Sequence, residues 1–256
     1  MFNLITLFFS GTGNCLYVAK EIGGKVLNIS ELLWSDEYNI EDDVVGFVFP
    51  CYYYGVPRIV ERFMNAMQVK ADYIFVVVTY GTTDAGTLGD CERILKKRGL
   101  EIDYFNDICM VDNYLPVFDM DKEIKKKDDA EIQRKIDEIV FDIYSKKVYK
   151  PKISIIDKVL TKVCSAKRHR GVVDDVDKRF TVDDNCTVCR LCETVCPVRN
   201  IRLTDSEDKT FRFNHRCEFC MACINVCPRS AIHVKSEKSS KRYINPHIKV
   251  KELKVD

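Results

Sequence analysis

Two stretches, Cys186-Thr187-Val188-Cys189-Arg190-Leu191-Cys192-Glu193-Thr194-Val195-Cys196-Pro197 and Cys217-Glu218-Phe219-Cys220-Met221-Ala222-Cys223-Ile224-Asn225-Val226-Cys227-Pro228, share the spacing C-x2-C-x2-C-x3-C-P. They hold eight of the thirteen cysteines, and each position of the first recurs 31 residues later (186 to 217, 197 to 228). The segment is therefore an internal duplication, with one cluster lobe per half. The spacing is that of two [4Fe-4S] clusters. A cubane needs four converging thiolates; one tight loop can present three, at i, i+3 and i+6, and the fourth must come from elsewhere. The competing reading is a pair of structural zinc sites, but these pair one Cys-x-x-Cys with a distant second one and do not run four cysteines together before a proline. Disulfides would need an oxidising compartment, to which nothing in the chain points.

Outward from these strings, the chain has 256 residues, 46% of them hydrophobic, and a formal net charge of +1, which suits roughly two domains with substantial cores. The apolar start, residues 1–9, lacks a basic region and a cleavage site, and Ser10-Gly11-Thr12-Gly13 interrupts it too soon for a signal or a membrane span. A buried strand in a cytoplasmic protein is expected. Charge is uneven: residues 1–120 carry 9 Lys+Arg against 17 Asp+Glu, a balance of −8, and residues 121–180 carry 17 against 12, or +5. From Lys146 to Arg170 run Lys146, Lys147, Lys150, Lys152, Lys158, Lys162, Lys167, Arg168 and Arg170, opposed only by Asp157. The run has a single aromatic, Tyr149, and no nucleic-acid motif, so docking against the acidic half is expected rather than nucleic-acid or membrane contact.

In that acidic half, apolar runs at 4–9, 44–49 and 73–79 read as buried parallel strands, with helical patterns at 14–22, 58–67 and 86–98. Shorter strand candidates at 25–28 and 101–108 and a charged helix at 128–145 complete a five-stranded, doubly wound α/β sheet. The first strand ends in Phe9-Ser10-Gly11-Thr12-Gly13-Asn14-Cys15 and runs into a helix, placing free backbone N–H groups and two hydroxyls where a phosphate can bind. No lysine follows and the third glycine of G-x-G-x-x-G is missing, which weakens triphosphate and NAD readings. A plain strand-to-helix turn would use glycine in the same way. The second long strand ends in Pro50-Cys51-Tyr52-Tyr53-Tyr54-Gly55 and the third in Thr79-Tyr80-Gly81-Thr82-Thr83, both at the same sheet edge. Tyrosines there can lie on a flat flavin ring while the loop backbone meets its polar edge; packing of a loop is the plainer alternative for each one.

On these residues the N-terminal half resembles flavodoxin, whose phosphate loop Ser/Thr-x-Thr-Gly-Asn-Thr is matched by Ser10, Thr12, Gly13 and Asn14. The resemblance implies non-covalent FMN, with these four residues, Gly11 and Cys15 at the phosphate. Pro50, Tyr52, Tyr53, Tyr54, Gly55, Thr79, Tyr80 and Gly81 then flank the ring, and the strand order is 2-1-3-4-5. Cys15 stands where threonine is usual and removes one hydroxyl. Trp34, the one tryptophan, lies outside the ring loops. The C-terminal part resembles two-cluster ferredoxins, a small α+β fold in which the cysteine before proline serves the other cluster. By that resemblance Cys186, Cys189, Cys192 and Cys227 hold one cluster, and Cys217, Cys220, Cys223 and Cys196 the second. As a whole the chain resembles the flavodoxin–ferredoxin fusion proteins of anaerobic bacteria and archaea, the EFR-family ferredoxins.

The expected division is a flavodoxin-like domain over 1–150, a basic helical connector over 151–179, the ferredoxin domain over 180–235 and a tail over 236–256, extended around a domain or partly disordered. Ile153, Ile156, Val159, Leu160 and Val163 give the connector an apolar period, predicting an amphipathic helix packed between domains. Cys51, Cys91, Cys109 and Cys164 read as small buried hydrophobes, Cys51 being the one placed to tune a flavin. The segment 110–119 is expected at the flavin edge, covering the ring or meeting the ferredoxin lobe. No role falls to His169, His215, His233 or His247. No acid, base or nucleophile constellation stands apart from the flavin, so no catalytic residue is expected. The pattern points to an electron carrier between partner proteins, converting electron pairs into single steps. The alternative is an FMN-dependent reductase of a quinone, nitro compound or oxygen fed through the clusters. A DNA-binding cluster sensor lacks a helix-turn-helix signal.

Overall fold

The computed structural model describes residues 2–84, 86–169, 176–203 and 211–255. Arg170, and the side chains of Leu160, Lys167 and Arg168, fall outside the described residues. The N-terminal elements are β1 (Leu4–Phe8), α1 (Asn14–Ile22), β2 (Lys25–Asn28), α2 (Ile29–Ser35), β3 (Asn39–Glu41), β4 (Val44–Pro50), α3 (Arg58–Ala66), β5 (Gln68–Lys70), β6 (Tyr73–Tyr80), α4 (Thr87–Lys96), β7 (Tyr104–Cys109), α5 (Met120–Lys125) and α6 (Asp129–Tyr144).

Five strands form one parallel sheet in the order β2-β1-β4-β6-β7, which in chain order of the five is the expected 2-1-3-4-5. The strands β1, β4 and β6 are buried along nearly their whole length, as continuous apolar runs covered on both faces must be. Because crossovers are right-handed, reversing direction after β2 puts α1 on one face and α3 and α4 on the other. Accordingly α6 returns to pack on α1, while α2, α3 and α4 form a row. Sheet packing is tight: a Cβ on Gly46 would lie 1.8 Å from the ring of Phe75, itself fully buried. Truncating Phe75 to alanine is expected to cost about 3–5 kcal/mol, read as a fall in the denaturant midpoint of the sheet domain.

Four elements of this part escaped the sequence reading. α2 is short and capped by Asn28, whose side chain accepts from the Ser30 N–H at 2.9 Å. β3 and β5 pair only with each other, through three residues each, too few to show a period. α5 is capped by Asp119, whose carboxylate accepts from the Lys122 N–H.

The connector departs from expectation. Ser154 caps α7 (Ile155–His169) by accepting from the Asp157 N–H at 3.0 Å. The helix rests on α4 through its polar side: a Cβ on Gly86 would lie 2.6 Å from Thr161 Oγ1 and 3.0 Å from the Asp157 carbonyl. Its apolar stripe does not pack between domains. Ile155, Ile156, Val159 and Val163 are 80, 78, 58 and 50% exposed, because the small residues of α4 admit Thr161 and turn the stripe outward. Of the period, Ile153 reaches α4, its side chain 3.2 Å from a Cβ on Gly89.

The cysteine repeat folds as two copies of one unit. A strand, a turn of helix and a second strand appear as β8 (Phe180–Val182), α8 (Leu191–Thr194) and β9 (Ile201–Leu203). They recur as β10 (Phe211–Phe213), α9 (Ala222–Asn225) and β11 (Ile232–Val234). Pairing is exchanged between copies: β8 runs antiparallel to β11, and β9 to β10. Neither half closes its own ladder, so the duplication folds as one body. No described helix is long and apolar enough to cross a membrane.

The tail is ordered and lies across both parts. Val255 N–H donates to the Thr194 carbonyl, Lys238 N–H to the Leu115 carbonyl, and Lys20 pairs with Glu252 at 2.7 Å.

Candidate functional site

In a doubly wound sheet the crevice for ligands opens beyond the strand carboxyl ends, where the order reverses, here between β1 and β4. A cleft of about 340 Å³ lies there, within the range of small-ligand pockets. It is walled by Ser10, Gly11, Thr12, Asn14 and Cys15 after β1, Pro50 to Tyr54 after β4, Thr79 to Thr83 after β6, and Val111 to Tyr114 with Val117 and Phe118 after β7. Of the residues expected to touch a ligand, Gly13 and Gly55 do not line it.

At one end, Ser10 Oγ accepts from the Gly13 N–H at 3.0 Å, and Thr12 Oγ1 accepts from Asn113 Nδ2 at 2.6 Å, which leaves the Thr12 proton to donate. The first N–H groups of α1 have no intrahelical acceptor, and the Gly13 N-cap offers no side chain to satisfy them. The end therefore carries donors and the positive helix pole, without a lysine or arginine in its lining. Cys15 turns away from this role: its thiol bonds Thr79 Oγ1 at 3.1 Å, and burial pushes its pKa up to about 12. Asn14 is spent elsewhere, since its Nδ2 donates to the Val111 carbonyl and its Oδ1 accepts from Tyr243 and Asn245.

At the other end the tyrosines differ. Tyr52 is half-buried and packs edge-on to Phe9, with centroids 6.0 Å apart. Tyr53 and Tyr54 occupy the two left-handed positions of a tight turn (φ 48° and 61°), closed by the Gly55 N–H to the Tyr52 carbonyl. That explains Gly55: it ends the turn. Bulky residues in this conformation are strained, and strain of this kind gathers at binding sites. The turn leaves both rings at the mouth, 41 and 40% exposed. Burial raises the Tyr52, Tyr53 and Tyr80 hydroxyls above their ordinary range, so all three remain neutral. The one carboxylate in the lining, Asp112, is also raised by burial while accepting from the Tyr114 N–H. Anionic at one end and flat at the other is the ligand these walls suit.

The segment 110–119 both borders the cleft and meets the cysteine repeat, where Tyr114 contacts Phe219 edge-on at 5.7 Å. Phe219 is itself part of the cleft wall. Sequence reading missed it because it belongs to the repeat; only the fold brings it beside β1.

Each cysteine loop encloses an apolar hollow. One is bordered by Cys186, Cys189, Cys192 and Cys227, the second by Cys217, Cys220, Cys223 and Cys196. The exchanged ladder carries the fourth cysteine of each loop across to the other hollow. Left-handed residues recur at the repeat distance: Val188 and Phe219 (57° and 55°), Arg190 and Met221 (62° and 59°), Arg199 and Ser230 (47° and 48°). At a β-branched residue such as Val188 that conformation is unfavourable. It frees N–H groups for sulfur: Val188 donates to Cys186, Phe219 to Cys217, Asn200 to Cys196 and Ala231 to Cys227, at 3.1–3.4 Å. Burial holds Cys192 and Cys220 up at about 12 and raises Cys223 well above the ordinary thiol range, so these thiols ionise when a cation takes them. Among the described residues no three histidine, cysteine or carboxylate side chains close around a single ion; thiolates at the corners of a cube do not have to.

The two parts are locked at this point. Arg58 donates to the Cys217 carbonyl at 2.8 Å and faces the buried Glu218 at 3.8 Å; Trp34 Nε1 donates to the Pro197 carbonyl, with Arg199 over its ring at 4.6 Å. A Cβ on Gly11 would lie 2.5 Å from the Cys220 carbonyl. The second hollow thus abuts the cleft, and the first lies beyond it, with Cys189 exposed.

The remaining cysteines divide. Cys91 is buried and its pKa well raised, as a small core residue's should be. Cys109 is exposed instead, its sulfur accepting from Lys127 at 2.8 Å, because it ends β7, an edge strand of the sheet. Cys51 sits in the cleft wall and accepts from Thr87 Oγ1 at 3.2 Å. The histidines serve as surface ties: His233 bridges Glu237 and Asp183, and His215 meets Asp177.

Residues 185–232 match the family model of the 4Fe-4S dicluster domain. No curated protein matches the chain. Among solved structures, a protein described as a flavoprotein of Bacteroides uniformis is similar over 42% of this chain and 91% of its own, at 13% identity and a TM-score of 0.33. The Trp repressor binding protein of Bacillus subtilis is similar over 42% and 83%, at 10% identity and a TM-score of 0.29. By its sheet order and its cysteine repeat, the chain joins a doubly wound sheet of flavodoxin-like order to a segment that matches the 4Fe-4S dicluster domain.

Proposed function

We propose that the chain is an electron-transfer protein holding two [4Fe-4S] clusters and one non-covalent FMN. When bound, the clusters carry single electrons and FMN takes one or two, so the chain exchanges pairs for single electrons. The observation that carries this reading is the contact of the second cysteine loop with the cleft. Cys220 presents its carbonyl to Gly11, and Phe219 forms part of the cleft wall. Ser10, Thr12 and the start of α1 would bind the FMN phosphate, and the loops after β4 and β6 would flank its ring. Cys196, Cys217, Cys220 and Cys223 would hold the inner cluster. Cys186, Cys189, Cys192 and Cys227 would hold the outer one, where the exposure of Cys189 leaves a redox partner protein close access.

An anaerobic reductive titration followed in the visible spectrum tests this. About four electrons per chain are expected, two for FMN and one for each cubane. About two, with only the broad cluster absorbance, would remove FMN from the account.

A second reading, reduction of a small acceptor at the flavin, is favoured by the exposure of Tyr53 and Tyr54 at the mouth. A screen of quinones, nitro compounds and oxygen for acceptor-dependent reoxidation decides it: no turnover above background leaves the carrier reading alone.

A further inference from the structure

We infer that the C-terminal tail is a working part of the phosphate end of the cleft, with Tyr243 and Asn245 as positioning residues that set selectivity for a phosphorylated flavin. The inference rests on the FMN reading above. Asn14 opens α1 beside the cleft, and its amide makes no bond that a ligand would have to supply. Nδ2 donates to the Val111 carbonyl at 3.1 Å, and Oδ1 accepts from Tyr243 Oη at 2.9 Å and from Asn245 Nδ2 at 3.1 Å. Asn245 holds the loop a second time, its N–H donating to the Thr12 carbonyl at 2.8 Å. Against Gly13, which has φ 96°, the tail leaves no slack: a Cβ there would lie 3.1 Å from Ile248 and 3.2 Å from Asn245. Asn14, Tyr243, Asn245 and Ile248 are all buried.

These bonds fix the residues whose N–H groups and hydroxyl face the cleft. In a buried site each bond is costly to lose, because its partner is left without solvent. The same tyrosine reaches the other way, since its N–H donates to Asn225 Oδ1 at 2.9 Å, in α9 between Cys223 and Cys227. One buried polar chain thus runs from the inner cysteine loop through Tyr243 to Asn14. Outside it, the tail is anchored by Lys20–Glu252 and by His247, which stacks on Tyr17 at 4.2 Å and bonds Asp129. Tyr243 and Asn245 do not themselves line the cleft and act through Asn14 and Thr12.

The test uses the full-length, cluster-loaded chain freed of flavin, titrated with FMN and with riboflavin by flavin fluorescence, for wild type, Tyr243→Phe and Asn245→Ala. Wild type is expected to bind FMN more tightly than riboflavin. Each variant should lose about tenfold in FMN affinity while riboflavin affinity and iron content stay unchanged. Equal losses for the two flavins would mean that the tail only supports the fold, and unchanged FMN affinity in both variants would mean that it does not act on the loop; either overturns the inference. Failure of the wild-type chain to bind FMN at all would instead overturn the flavin reading beneath it.

Discussion

Replacing Cys220 by alanine is expected to halve the iron of the chain, from about eight to about four per polypeptide, and to change the visible spectrum of FMN that remains bound. Replacing Cys189 should halve the iron equally and leave the flavin spectrum as it was. Each cysteine belongs to a different hollow, and each hollow has four sulfurs, so loss of one leaves a corner of the cube without its thiolate. The difference lies in what each loop touches. Cys220 is buried, its carbonyl lies on Gly11, and its neighbour Phe219 forms part of the cleft wall and stacks on Phe180 at 5.7 Å. Without four sulfurs drawn inward, the loop loses the cage that holds Phe219 and Met221 in left-handed backbone, a conformation costing about 1–3 kcal/mol per residue. Relaxation of that loop moves an aromatic wall of the cleft. Cys189 lies in the exposed loop, none of whose residues line the cleft. Iron, labile sulfide and the flavin spectrum of both variants decide the matter. A flavin that responds identically to the two would contradict the assignment of an inner and an outer site.

That asymmetry could not be read in the sequence, where the two strings are identical in spacing. What was legible followed from patterns a local rule dictates. Continuous apolar runs gave the strands β1, β4 and β6 within one residue at each end, because strands covered on both faces show no polar break. A small-residue turn after β1 marked the cleft, and the cysteine spacing marked the hollows. What stayed hidden depends on contacts between distant segments. Asn14 matches a phosphate-loop pattern, yet its amide is taken by residues 229 and 231 positions away. The stripe of α7 has a helical period that predicts burial, but period says only that one face is apolar, not that a partner covers it. Phe219, Tyr243 and Asn245 carry no motif at all; they matter through the place to which docking brings them.

Gly11→Ala tests that docking with one methyl group. Gly11 has no left-handed backbone, so alanine suits its dihedrals and the isolated sheet domain would tolerate it. The obstacle is space alone: the new Cβ would stand 2.5 Å from the Cys220 carbonyl and 3.3 Å from both Cys220 Cβ and Tyr52 Oη. The nearest atom is backbone, held in a loop that carries sulfur, and it cannot swing aside as a side chain would. Overpacking of this kind costs about 1–3 kcal/mol, here charged to the contact between the two parts, because β1 and α1 have the rest of the sheet behind them. The expected result is a weaker union, with the dicluster segment released at lower denaturant, a changed flavin spectrum and slower reduction of FMN by an electron donor protein that is too large to enter the cleft. Gly99→Ala is the matched control, since Gly99 has φ 73° but an added Cβ would meet nothing within 4 Å. It should lower stability by about 1 kcal/mol through backbone strain alone and leave flavin and clusters unaltered. If Gly11→Ala behaved like Gly99→Ala, the inner cysteine loop would not lie on the phosphate loop, and the route from cysteine repeat to cleft would have to run elsewhere.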